Sequence, residues 1–334
     1  MKIKNNKQNL FLDSHKMLKD PLAIRSLRTS TLKLTTRNFY ALIIMFLWLS
    51  NAILAINLSA STSENRKSGK HIVTPEPFPG EPTNFQGFAL YTIPVGKDKA
   101  TVLCPAIPAE GRPWVLAPSF YDLKSGPVAY IAQTELELVK RGFYVVALDL
   151  GNTYGSPDAI AKWDALYPVM TKKYGMAKKP ALMGLSREGL AIARWAAANR
   201  GKVSCLYMDK AVCDFKSWPG GKLGIGKGSQ GDWQNLIKLY HFKSEKEALA
   251  YHKNPVDLAR KLAAAKVAII YVTGETDDAV PYSDNGAIME QQYKKWGGTF
   301  KLILKKGEGH HPHGLQDQTP VVDFIQLHAG HPLR

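Results

Sequence analysis

Three short segments of this 334-residue chain carry side chains that together could perform acyl transfer. The first is Ala181-Leu182-Met183-Gly184-Leu185-Ser186-Arg187-Glu188-Gly189-Leu190, where a hydroxyl sits between two glycines at the end of an apolar run. The second, Gly274-Glu275-Thr276-Asp277-Asp278-Ala279-Val280-Pro281, offers carboxylates, and the third, Gly307-Glu308-Gly309-His310-His311-Pro312-His313, offers imidazoles. A serine hydroxyl is a weak nucleophile until a base removes its proton. Histidine is suited to that work, and a carboxylate behind it fixes the tautomer that accepts. Taken alone, Ser186 could be a helix N-cap and nothing more. The acid and base segments, each following a strand-like run, raise the catalytic reading above that one.

Other chemistry at these residues is weaker. Three histidines within four positions could bind a metal, but no H-E-x-x-H pattern accompanies them, so neither metal nor cofactor is expected. Glu188 reads as a solvated first-turn residue favoured by the helix dipole. Cys104, Cys205 and Cys213 cannot all pair within one chain and lack CxxC spacing, so buried free thiols are expected.

The elements that must position these groups are legible from residue 112 onward. Trp114–Pro118, Tyr144–Asp149, Ala181–Leu185, Val203–Met208, Val267–Thr273 and Thr299–Leu304 read as strands. Helical patterns lie between and after them, at 129–141, 159–174, 189–200, 255–265, 285–296 and 320–328. That alternation predicts a mostly parallel sheet flanked by helices, with the chemistry in loops at the carboxyl ends of the strands. An insertion at about 209–257 interrupts it. Rich in glycine, and carrying Trp218 and Trp233, it is expected as a lid whose indole faces bind substrate; a loop plugged onto the sheet by the same tryptophans is the alternative.

From Trp114 to Ala329 the chain resembles the α/β-hydrolase superfamily. The order Ser186, Asp277, His310 is that of its triad, and the segment around Ser186 resembles its strand-to-helix nucleophile elbow. Asp149, Gly155 and Ser156 resemble the D-x-x-G-x-G-x-S loop; G-x-x-D-x-x-V-P and G-x-G-H resemble the acid and base segments. The resemblance implies Asp277 as acid, with Asp278 or Asp214 as alternatives, and His310 rather than His311 or His313 as base. It implies a lid between strands six and seven. Within the superfamily, Ser186-Arg187-Glu188-Gly189 resembles the G-x-S-R-x-G elbow of carbohydrate esterases such as glucuronoyl esterases. That implies an oxyanion hole from Arg187 and from Ser119 or Phe120, with Tyr121 beside the substrate. Leu190 stands where those esterases carry a substrate-contacting lysine, and the chain equally resembles secreted prolyl-oligopeptidase-like hydrolases.

Composition bounds the remaining choices. With 45% hydrophobic residues the chain can bury a core, and the formal charge of +16 invites a polyanionic partner. Nine basic residues against two acidic ones fall within residues 1–60; the rest of the surplus is interspersed with acids, and no nucleic-acid reader motif appears, so no nucleic-acid partner is expected. Between Arg37 and Glu64 there is no charged residue, and Phe39–Leu58 is apolar. Residues 1–60 are therefore expected as a signal peptide or membrane anchor, residues 61–82 as a linker and residues 83–334 as the hydrolase domain. A secreted or periplasmic location follows, with membrane contact only if the leader is retained. The expected function is an exported serine hydrolase acting on a small-molecule or polysaccharide ester. The alternatives are a serine peptidase or amidase, and a non-catalytic carbohydrate-binding protein on the same fold, which the off-pattern Glu188 motivates.

Overall fold

The computed structural model describes residues 76–121 and 129–332. The leader expected at 1–60 and most of the linker at 61–82 lie outside the described residues. Three strands precede the first expected one: β1 (Thr83–Phe85), β2 (Phe88–Val95) and β3 (Asp98–Cys104). They form an antiparallel meander. The signal for it was Gln86-Gly87, two positive-φ residues between the paired Phe85 and Phe88, which is a two-residue hairpin turn. Pro94 and the largely exposed β1 weakened the strand pattern there.

The six expected strands follow as β4 (Trp114–Ala117), β5 (Tyr144–Ala147), β6 (Ala181–Leu185), β7 (Cys205–Asp209), β8 (Ala268–Gly274) and β9 (Phe300–Lys305). All nine join one sheet in the order β1-β2-β3-β5-β4-β6-β7-β8-β9, parallel from β5 to β9. The chain passes from β4 outward to β5 and then back across to β6. Strand order therefore reverses beside β4, and a crevice opens at the carboxyl ends there.

Eight α-helices are described: α1 (Ala129–Lys140), α2 (Pro157–Pro168), α3 (Gly189–Ala198), α4 (Gln230–Leu239), α5 (Glu245–Leu249), α6 (Pro255–Ala264), α7 (Gly286–Lys295) and α8 (Thr319–His328). Successive residues of β4 point to opposite faces. Trp114 and Leu116 belong to one buried cluster with Trp163, Ile192, Trp195, Leu262 and Tyr293, and Val115 and Ala117 to another with Leu138, Val139, Val321 and Ile325 on the opposite face. A sheet covered on both sides explains the nearly unbroken apolar runs of its central strands.

The insertion lies between β7 and β8, whereas the resemblance implied strands six and seven. It is more structured than a glycine-rich loop. It carries α4 and α5, and Phe215, Trp233, Leu236 and Tyr240 bury a satellite core against Val212 and Leu190. Among the described residues no helix is long and apolar enough to cross a membrane.

Candidate active site

Ser186 lies between β6 and α3 in a sharp turn with φ of +48°, a conformation that L residues adopt at a cost. The turn closes only because Gly189 has no side chain. A Cβ there would come within 2.7 Å of the Ala211 Cβ and 2.8 Å of the Val212 carbonyl oxygen. The Ser186 carbonyl in turn accepts from the Val212 N–H at 2.9 Å, which pins the elbow to the loop after β7. Arg187 falls in the turn that starts at Ser186, a position whose backbone N–H finds no acceptor within a helix.

Ser186 Oγ lies 3.1 Å from His310 Nε2, and His310 Nδ1 lies 2.8 Å from Asp277 Oδ2. Asp277 is buried, and its other oxygen accepts the backbone N–H groups of Ala279 at 3.1 Å and Val280 at 2.8 Å. The carboxylate is thus oriented from both sides. Close packing of the acid and base loops requires Gly274, where a Cβ would fall 2.3 Å from the Glu308 carbonyl oxygen. The rival acids go elsewhere: Asp278 is exposed and pairs with Lys227 at 3.0 Å, and Asp214 pairs with Lys216 at 3.1 Å.

A cavity of about 500 Å³ opens above this row, lined by Ser119, Asp149, Asn152, Arg187, Trp218 and the three histidines, among others. Arg187 donates to Asn152 Oδ1 at 2.8 Å, and its guanidinium stands 5.6 Å from the Trp218 ring centroid. These two side chains form one wall. Trp233 does not join them: it is fully buried in the satellite core and donates to Glu245 Oε1 at 3.0 Å, so its expected substrate contact is replaced by a packing role.

The loop after β4 brings Ser119 to the cavity, while Phe120 packs edge-on against Phe85 at 5.0 Å. Tyr121 is buried rather than beside the substrate space, and its hydroxyl donates to Glu188 Oε2. Glu188 is not the solvated residue expected from its place in the first turn. Its carboxylate also accepts from Ser119 Oγ and from the Leu185 N–H, each at 3.0 Å. Burial raises its pKa above the ordinary value, and the donors from Tyr121, Leu185 and Ser119 pull it partly back.

The sequence reading missed a second clamp on the histidine loop. Asp209, at the end of β7, accepts from the Gly314 N–H at 3.0 Å and lies 2.8 Å from His313 Nδ1. Its neighbour Lys210 is wholly buried and donates to the carbonyls of Gly309 at 2.6 Å and Pro312 at 2.8 Å, on both sides of His310. Burial lowers the Lys210 pKa, opposed by nearby Asp209, Glu308 and Asp277. A charged pair closing a buried strand-like run was the available signal. The three cysteines are free, as expected, and burial pushes the Cys104 and Cys205 thiols up to about 12.

The fold is similar to that of solved structures. A Mycobacterium tuberculosis puromycin-hydrolysing peptidase superposes with a TM-score of 0.57 at 15% identity, over 74% of this chain and 40% of that one. A truncated carbohydrate esterase from gut microbiota gives a TM-score of 0.56 at 14% identity, over 76% of this chain and all of that one. The chain has an α/β-hydrolase fold. Est1E from Butyrivibrio proteoclasticus shares the fold at a TM-score of 0.50 and 16% identity, over 71% of this chain and 96% of that one. The chain thus spans about two fifths of the peptidase but nearly the whole of the truncated carbohydrate esterase and of Est1E. No protein-family model and no curated protein matches the sequence.

Proposed function

We propose that the protein is an exported serine hydrolase that cleaves a carboxylic ester of a carbohydrate through an acyl-enzyme on Ser186. The observation that carries the reading is the continuous row from Ser186 Oγ through His310 to the buried Asp277. In this mechanism the Ser186 proton passes to His310 Nε2 as Oγ attacks the ester carbonyl. The Arg187 N–H and the Ser119–Phe120 segment face the charge that develops on the carbonyl oxygen. His310 then gives its proton to the leaving alcohol oxygen. Water, activated by the same imidazole, releases the acid and regenerates the hydroxyl.

The ester reading is supported by the likeness to the carbohydrate esterase, whose whole length this chain matches. A cavity walled by Trp218 and Arg187 suits a sugar ring that stacks on an indole, and the positive surplus suits an anionic polysaccharide. Export rests on the basic and apolar run in residues 1–60. A peptidase is the second reading, favoured by the likeness to the puromycin-hydrolysing peptidase. The purely binding alternative loses its motive, because Glu188 has a place that leaves the Ser186–His310 contact intact.

The test is fluorophosphonate labelling of the full chain and of Ser186→Ala, with mass mapping and p-nitrophenyl acetate hydrolysis. Labelling at Ser186, with turnover lost in the variant, supports a serine hydrolase; a folded protein that is neither labelled nor active overturns it. Aminoacyl p-nitroanilides compared with acetylated sugars then separate peptidase from esterase.

A further inference from the structure

Next to the catalytic row, His310, His311 and His313 stand as a compact trio. Their ring centroids are 5.0, 4.9 and 5.0 Å apart, with ring planes 71° to 87° from one another. One nitrogen from each lies within 4.8 Å of the other two. A tetrahedral metal about 2.0 to 2.1 Å from each imidazole nitrogen would set such centroids roughly 5 Å apart. The ring spacing therefore already matches three-histidine coordination. Turning the exposed His311 side chain is the motion available to draw the nitrogens inward.

The hydrogen bonds behind the rings fit the same use. His310 Nδ1 is held by Asp277 and His313 Nδ1 by Asp209, each at 2.8 Å. A carboxylate on one ring nitrogen leaves the other to a metal and raises its basicity, the usual outer-shell arrangement of metal-bound histidine. Neutral imidazole suits zinc, copper and nickel. Asp277, Asp209 and Glu308 also outnumber the two ammoniums, Lys210 and Lys305, that approach the loop.

We propose that these three histidines form an inhibitory site for a divalent transition metal such as zinc. The reading rests on the proposed catalytic role of His310, whose Nε2 lies 3.1 Å from Ser186 Oγ and whose Nδ1 is taken by Asp277, leaving Nε2 for the metal. A metal on that nitrogen takes the lone pair that must accept the Ser186 proton, so bound enzyme is switched off with no covalent change. Its removal restores the base.

The test uses the full chain and zinc chloride in a non-chelating buffer. Calorimetry on Ser186→Ala, which keeps all three imidazoles, should show one zinc per chain at this site. His311→Ala, an exposed position outside the catalytic row, should weaken it by more than the roughly 10- to 100-fold that losing an outer-shell partner costs. In the active chain, zinc should abolish ester hydrolysis and fluorophosphonate labelling, EDTA should restore both, and His311→Ala should resist inhibition when each chain is compared with its own metal-free rate. Calorimetric binding that is absent, or equal in His311→Ala, overturns the site whether or not the chain hydrolyses esters. Zinc bound at the trio with turnover unaffected overturns its inhibitory role.

Discussion

The Ser119 hydroxyl donates to Glu188 Oε1 at 3.0 Å, joining the loop after β4 to the first turn behind Ser186. Tyr121 and the Leu185 N–H converge on the same carboxylate. One side chain therefore joins the two segments that, in the proposed mechanism, flank the oxyanion. Glu188→Ala should lower kcat for ester hydrolysis about tenfold or more, equivalent to roughly 1.4 kcal/mol, with a smaller change in KM. Glu188→Gln keeps an acceptor and should recover most of the rate. Equal losses in both variants, or a loss confined to KM, would count against a positioning role.

The acid assignment is open to direct measurement. Asp277→Asn should cost about 10⁴-fold in kcat, because an amide favours the wrong imidazole tautomer. Asp278→Asn and Asp214→Asn should stay within a few fold, since their carboxylates face Lys227 and Lys216. A large loss in either would move the acid.

Lys210 offers a test of the clamp on the histidine loop. Lys210→Met keeps the length of the buried side chain but leaves the Gly309 carbonyl without its donor and the Pro312 carbonyl with only the longer bond from Lys305 at 3.3 Å. Each buried group left unpaired costs about 1 to 3 kcal/mol, so thermal stability should fall, and kcat should fall with it as His310 loses its fixed place. Denaturation and steady-state kinetics read the two effects. Unchanged kcat in a folded variant would confine Lys210 to stability.

Glu135 predicts a pH dependence of stability. The residue is fully buried on α1, and burial holds its pKa well above the usual carboxylate range against the opposing pull of the Tyr121 backbone N–H. In the unfolded chain it titrates near about 4.3. Below that value both states are protonated and the full stability is present; as pH rises through the raised folded value that contribution is lost. Glu135→Gln removes the loss, so its melting temperature relative to the parent should climb from pH 4 to pH 8. Parallel curves over that range would show that Glu135 ionises no less easily in the folded protein.

Hydrophobic periodicity and local turn chemistry determined much of this protein. The buried runs from Trp114 to Leu304 alternate with amphipathic segments, and such runs have few ways to hide from water except as central strands under helices. The order of serine, acid and histidine after three of those strands was legible for the same reason: it depends on neighbours in sequence. The antiparallel meander escaped because half-exposed strands carry a weaker pattern.

Only the tertiary structure decided which polar groups meet. Asp277 and Asp278 are adjacent in sequence, yet one is buried against His310 and the other pairs with Lys227 in solvent. Trp218 and Trp233 share an insertion, yet one lines the cavity and the other fills a core. Ser119 and Glu188 are 69 residues apart, and His313 and Asp209 are 104 apart. A side chain's local pattern states how it is to be buried but not against what, and at these distances the partner is chosen by how the sheet stacks its loops.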